Sequence, residues 1–408
     1  MPFPQADALQ VAASRSEPMP PPSAGVAVGG ARTRAWLSVA LVLGLVHALV
    51  DATTVSVVMR STRTAEVTRE LAFLLVVGYD WIAFATQPLW GYVMDRWATP
   101  RSARAMGLVL CLASVPASGL APRTAMALAG LGNAVYHLGA GAAVLRLGLG
   151  RTLPSALYVA PGALGLGFGM IYGKDVTLGP VWPLAVVLAL GAAVAVALSD
   201  PPVSAGSAAE PSPPETATGL VTRGPAPSVH ERLGRWALVL LLASIVVRSL
   251  VGMSASRGYP KGAWLIFGLP LVAFLGKAMG GFVADRWGWL ETSVVALALS
   301  APFIGLRYEH PALLLGGLLV FQMTMPVTLV AVARLMPTRL GTAFGWTCLA
   351  LAVGSAPTMF AWGRPLCDRS VLLLWIAAGV AAVFLGLRFA GIERRSAAVR
   401  VRPQTVKP

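Results

Sequence analysis

His47 and Asp51 stand four residues apart in an apolar stretch, which places an imidazole and a carboxylate one helical turn apart on the same face. Two titratable groups so placed can hold one shared proton and titrate together near physiological pH. Gly44 and Thr54 extend that face into a polar stripe. A second apolar stretch carries Asp80 near its middle, with Tyr79 beside it and Gln87 two turns on. Asn133, Tyr136 and His137 fall on one side of another stretch, and Arg248, Lys277 and Gln322 interrupt three more. Charges at membrane depth are costly and normally face a protein interior or a wet cavity. The chemistry these residues suggest is proton transfer beside a bound solute. Asp51, His47 and Asp80 are the proton-coupling candidates. Arg248, Tyr79, Asn133, Tyr136, His137 and Gln322 are the candidates for shaping a substrate site. Arg248 has no carboxylate within a turn or two on its own helix, so it is expected to pair with Asp51 or Asp80, or to hold an anionic substrate. Lys277 lies nearer the end of its stretch, where its long stem can snorkel to the surface.

These residues need membrane-spanning helices to position them. Of 408 residues, 56% are hydrophobic and only 12% charged, against about a quarter charged in soluble domains. The mean hydropathy of +0.71 comes from many apolar stretches, each long enough to cross about 30 Å of hydrocarbon. Hydropathy and breaker residues give twelve spans, at 36–58, 71–93, 105–121, 125–146, 153–173, 179–199, 236–256, 263–284, 292–307, 311–333, 340–362 and 370–390. Residues 1–33, with Pro18, Pro20, Pro21 and Pro22, read as a disordered tail. Residues 34–199 form one six-span half and 234–391 the other. The polar stretch 200–233 reads as a linker on the cytoplasmic side, and 392–408 as a basic C-terminal tail. The net charge of +15 sits mostly in short loops, with no basic helix carrying interleaved aromatics, so it reads as topology and not as nucleic-acid binding. With loops assigned alternately, the side holding both termini collects about twice as many Lys and Arg as the other, which predicts cytoplasmic termini and a plasma-membrane location.

The two halves repeat each other. Gly91-Tyr92-Val93-Met94-Asp95-Arg96-Trp97 recurs as Gly281-Phe282-Val283-Ala284-Asp285-Arg286-Trp287, an offset of 190, and Arg146-Leu147 with Arg151 recurs as Arg334-Leu335 with Arg339, an offset of 188. Gly91 and Gly281 would let helices approach closely. Asp95 and Asp285, at helix ends, can accept hydrogen bonds from a neighbouring helix N-terminus. Arg96 and Arg286 are expected to bridge to the next loop.

Two parallel six-span repeats with G-x-x-x-D-R after the second and eighth spans resemble the major facilitator superfamily. The resemblance implies an all-α membrane protein of twelve transmembrane helices, with two halves packed around a central cavity that opens alternately to each side. It also implies that Gly91, Asp95, Arg96, Gly281, Asp285 and Arg286 latch the cytoplasmic side. His47-x-x-x-Asp51 with Tyr136-His137 in the fourth span looks like the fosmidomycin-resistance branch, although Leu138 stands where that branch has Pro. The fifth span, with Pro161 and a Gly165, Gly169, Gly173 ladder, resembles the antiporter motif of drug exporters and favours efflux. No Walker string, Ser-His-Asp set or metal-spaced His/Cys set occurs, and Cys111, Cys348 and Cys367 are widely spaced. No enzyme activity, cofactor or metal is therefore expected. The reading is a monomeric, proton-coupled exporter of a small organic molecule. An importer or uniporter on the same fold is one alternative, and a non-transporting assembly or sensing member is another.

Overall fold

The computed structural model describes residues 23–63, 67–148, 150–198, 229–257, 259, 262–306 and 311–392. Every regular element among them is helical. In chain order the spans are α1 (Ser23–Ser61), α2 (Arg69–Trp97), α3 (Pro100–Ala117), α4 (Pro122–Gly148), α5 (Leu153–Lys174), α6 (Trp182–Ala197), α7 (Val229–Ser254), α8 (Ala263–Trp287), α9 (Trp289–Gly305), α10 (Pro311–Leu335), α11 (Leu340–Met359) and α12 (Arg369–Phe389). Nine of these are long and apolar enough to cross a membrane on composition alone; α6 and α9 are shorter apolar helices, and α3 carries Arg101 and Arg104. All twelve expected spans are present.

Helix α1 begins at Ser23, inside the stretch expected to be a tail, because the proline run ends at Pro22 and helix-compatible residues follow. Similarly, α7 begins at Val229, ahead of the expected end of the linker at 233. Most of that linker, and all but the first residue of the basic C-terminal tail, lie outside the described residues.

Prolines break the spans that border the centre. In α2, residues Trp81–Ala85 form a π-helical turn just before Pro88, whose missing N–H and bulky ring disrupt the preceding turn. In α10 the helix stops at Gln322 and restarts at Met325 with Pro326 in its first turn. The same two residue regions carry Asp80 and Gln322.

Small residues set the packing of α1 on α5. A Cβ on Gly169 would lie 2.8 Å from Ala52 O and one on Gly173 2.8 Å from Ser56 Cα, while Gly165 rests on Ala48. The glycine ladder of the fifth span is thus the surface on which the first span lies. Helix α4 is buried along most of its length, and Arg104 of α3, almost fully buried, donates from Nη2 to Leu198 O at 3.1 Å, satisfying a carbonyl at the end of α6. The repeated tryptophans Trp97 and Trp287 are exposed at the ends of their spans, where aromatic belts form.

Outside the spans, Asp175 caps a short 3-10 turn and Asp368 caps the N-terminus of α12. Asp368 Oδ1 accepts from Ser370 Oγ at 2.6 Å and Ser370 N at 2.9 Å; Asp175 Oδ1 makes the same pair of bonds to Thr177. These bonds hold both carboxyls below their ordinary range. A lowered folded pKa contributes stability that is full above the ordinary carboxylate range and is lost as pH falls through the lowered value. Asp368→Asn should therefore lower the melting temperature slightly at neutral pH, with variant and wild type converging as the pH falls through the acid limb.

Candidate functional site

The polar residues of α1, α2 and α4 converge in one buried cluster. His47 Nε2 lies 3.2 Å from Asp51 Oδ2, and His137 Nε2 3.8 Å from Asp51 Oδ1. The two imidazoles meet at Nε2–Nε2 2.6 Å, edge to face. Asn133 Nδ2 donates to Asp51 Oδ1 at 2.8 Å and to Tyr79 Oη at 3.1 Å. Thr54 donates to Val50 O at 2.8 Å, so the Tyr79 hydroxyl, 2.8 Å from Thr54 Oγ1, is the donor in that contact. His47, Asp51, Asn133 and His137 are all buried.

The far nitrogens of both rings fix the protonation. His47 Nδ1 sits 3.0 Å from Tyr158 O, and His137 Nδ1 2.8 Å from Asn133 O. A carbonyl oxygen only accepts, so each Nδ1 carries a hydrogen. A neutral ring would then have a bare lone pair at Nε2. Two lone pairs facing each other at 2.6 Å would repel, so the contact suits a proton held at one Nε2, with the other ring or Asp51 Oδ2 as its acceptor. A proton on either ring would find its counter-charge in the Asp51 carboxylate beside both. Gly162 makes room: a Cβ there would lie 2.5 Å from His47 Cε1 and closer still to Nε2.

His47, Asp51 and His137 also form a group whose donor atoms could hold a metal ion, lying within 4.8 Å of one another. No metal spacing was visible in the sequence because the ligands come from two helices 90 residues apart. Two nitrogens at about 2.0–2.1 Å on a tetrahedral ion sit about 3.3 Å apart. At 2.6 Å the rings are set for a proton, and would have to part for a metal.

Other expected residues are placed differently. Asp80 is outside the cluster. It opens the π-turn of α2 near Ser355 of α11, with Oδ2 buried and unbonded. Tyr136, fully buried, turns behind the site and donates to Leu43 O at 2.8 Å, tying α4 to α1. Arg248 pairs with neither Asp51 nor Asp80 among the described residues, since Asp51 is already occupied by two imidazoles and an amide. Arg248 instead lines a small cavity with Ser244, Thr324 and Thr328. Lys277 does not snorkel outward. It is turned inward, within Coulombic range of Arg248, Asp51 and His137. Gln322 stands at the break in α10, with Oε1 buried and unbonded.

At one end of the bundle the repeated motif makes two matching contacts between the halves. Asp95, ending α2, accepts from Gly341 N (2.9 Å), Thr342 N (2.7 Å) and Thr342 Oγ1 (2.8 Å) at the start of α11. Asp285, ending α8, accepts from Thr152 N (2.6 Å), Thr152 Oγ1 (2.9 Å) and Leu153 N (3.0 Å) at the start of α5. Each carboxylate sits on a helix N-terminus, where orphan N–H groups and the helix dipole favour an anion. Gly91 and Gly281 lie under the crossings: a Cβ on Gly91 would lie 2.6 Å from Gly341 C, and one on Gly281 3.1 Å from Leu153 Cα. The arginines do not bridge to the next loops. One residue on from an inward carboxylate, Arg96 and Arg286 point outward and are exposed, with Arg96 over the Trp97 ring at 5.5 Å. Thr152 and Thr342 complete these contacts and were not singled out in the sequence, although they too stand 190 apart.

Solved structures share the fold. The major facilitator superfamily transporter FucP in its outward conformation matches with a TM-score of 0.61 at 14% identity, over 86% of this chain and 98% of that one. A variant of the E. coli fucose:proton symporter FucP matches with 0.58 at 14% identity, over the same shares. The human organic anion transporter MFSD10 (TETRAN) matches with 0.62 at 15% identity, over 86% of this chain and 99% of that one. No family model and no curated protein matches the sequence. The chain has the major facilitator fold, of twelve transmembrane helices in two six-helix halves.

Proposed function

We propose that this protein is a proton-coupled secondary transporter that moves a small organic solute by alternating access between its two halves. The observation that carries this reading is the buried 2.6 Å contact between the His47 and His137 Nε2 atoms beside Asp51. Loading and unloading a proton there changes both charge and geometry. With it, the two rings and the carboxylate are together neutral. Without it, the Nε2 lone pairs repel, the rings separate, and Asp51 is left as a net negative charge. His47 and Asp51 ride α1 while His137 rides α4, so the change acts at the α1–α4 crossing. Coupling only needs the proton to favour one of the two openings. Tyr79 and Asn133 orient Asp51 and, with Gln322 and Arg248, face the solute; Asp80 is a second, separate proton candidate.

In this reading Asp95 and Asp285 are twin latches that close one side, which the distribution of Lys and Arg assigns to the cytoplasm along with both termini. FucP is described as a fucose:proton symporter and MFSD10 as an organic anion transporter, which supports transport of small solutes. The second reading is exchange, with solute leaving as protons enter, and the exporter-like fifth span favours it. The two differ in whether proton and solute support or oppose each other's binding.

The test is solute movement in everted vesicles under an imposed pH gradient. Gradient-dependent movement that disappears in Asp51→Asn is the expected result, and movement indifferent to the gradient contradicts the proposal. A gentler probe is Gly162→Ala, whose methyl must turn the His47 ring off its line. It should lower proton-coupled flux at least tenfold while the protein still folds and inserts. Unchanged flux would show that the ring contact is not needed.

A further inference from the structure

Arg248 and Lys277 are two inward-turned cations in the C-terminal half with no ion-pair or hydrogen-bond partner among the described residues. Arg248 is 8% exposed, and its Nε is buried and unbonded. Lys277 lies within Coulombic range of Arg248, so two like charges share one low-dielectric region. Such an arrangement opposes the stability of the empty protein, because Arg248 loses its water without gaining a counter-ion and the half-buried Lys277 adds a like charge nearby. Three further features face the same place. The cavity beside Arg248 is lined by the hydroxyl-bearing Ser244, Thr324 and Thr328. Gln322 has a buried, unbonded Oε1, and a Cβ on Gly276, next to Lys277 in α8, would lie 2.8 Å from its Cβ. Lys277 is also within Coulombic range of Asp51 and His137 in the other half, which sets the cations on the side facing the histidine cluster.

We propose that Arg248 and Lys277, with Gln322 beside them, form an anion-binding site, and that the transported solute is a small organic anion bearing a carboxylate or phosphate group. This rests on the transporter reading and names its substrate class. A guanidinium presents a planar fork that matches either oxyanion, an ammonium adds a point charge, and the amide can donate to a neighbouring oxygen of the same solute. The anion supplies the counter-charge that the empty protein lacks.

The test uses the purified full-length protein in detergent, at one fixed pH, in chloride-free buffer, followed by thermal unfolding. First, Lys277→Gln and Arg248→Gln are melted without ligand. Relief of the unpaired charge should raise the melting temperature of at least Lys277→Gln by a few degrees; a fall of several degrees in both would show structural pairing and overturn the proposal. Second, the wild type is titrated with benzoate, succinate, inorganic phosphate and glycerol 3-phosphate, and with benzamide, succinamide, glycerol and choline as uncharged or cationic controls. One or more of the anions should raise the melting temperature by several degrees, since a ligand that binds only the native state stabilises it. The rise should vanish in both variants and persist in Asp368→Asn, which lies outside the latches and the proposed site. Carboxylates and phosphates are distinguished by which members act. A panel in which no anion stabilises the wild type, or in which the controls stabilise equally, overturns the site. Because this readout needs neither a pH gradient nor transport, anion binding can hold while gradient-driven movement fails, and the reverse.

Discussion

Asp51→Asn should abolish proton-driven transport while leaving the protein folded. In the proposed mechanism a proton between His47 and His137 is matched by the Asp51 carboxylate, 3.2 Å from His47 Nε2 and 3.8 Å from His137 Nε2. An amide keeps the shape and much of the hydrogen bonding to Asn133 but removes the counter-charge. Breaking a buried ion pair by deleting one partner costs about 3–5 kcal/mol. At 1.36 kcal/mol per factor of ten, that lowers proton occupancy by about two to four orders of magnitude. Gradient-driven flux should therefore fall at least a hundredfold. Exchange of labelled for unlabelled solute, which moves no net protons, should survive within a few fold. Flux measured in both modes separates the outcomes, and loss of both equally would mean that Asp51 holds the solute or the fold and not the proton.

The second large effect is expected from Asp95→Asn combined with Asp285→Asn. Each carboxylate accepts three hydrogen bonds at a helix N-terminus, and bonds to charged groups contribute about 1.5–3 kcal/mol each. An asparagine retains part of this, so each single variant weakens one latch by a few kcal/mol. Moving an equilibrium from 1:99 to 99:1 takes about 5.5 kcal/mol, which the two losses together reach and one alone does not. Met94, buried beneath the Gly341 contact, reports the opening. In a background without the native cysteines, Met94→Cys should be alkylated slowly, and at least ten times faster in the double variant. An unchanged rate would mean that the carboxylates cap helices without holding the side shut. Gly91→Val, which drives a side chain into the Gly341 backbone, should raise the rate as well.

The fold could be read from the sequence because it is written twice. Span length and the 190-residue repeat survive any local irregularity, and both halves carry Asp at the end of a span with Gly four residues before it. The partners of those carboxylates were harder to see, because a backbone N–H leaves no trace in the sequence; only Thr152 and Thr342, at the same offset, carried one. The cluster was half visible. His47 and Asp51 announce themselves by helical spacing, but His137 is 90 residues away and looks like a packing group until α4 is laid against α1. The pairing expected for Arg248 failed for a physical reason: Asp51 has its bonds filled from its own half, and Asp80 is carried away by the π-turn that Pro88 imposes. The inward turn of Lys277 leaves no trace in the sequence, because distance from the span end does not say which face of α8 looks inward.

The central claim is that one proton lies between His47 and His137. The chain has four histidines, so selective 15N-histidine labelling followed by NMR of the protein in bicelles, with His47→Gln and His137→Gln for assignment, examines that proton directly. The expected signal is a single exchange-protected proton at strongly low field, coupled to both Nε2 nitrogens, present near neutral pH and lost in either variant. Two neutral rings with bare Nε2 nitrogens and no bridging proton anywhere between about pH 5 and 8, the range in which His ordinarily changes charge, would contradict it.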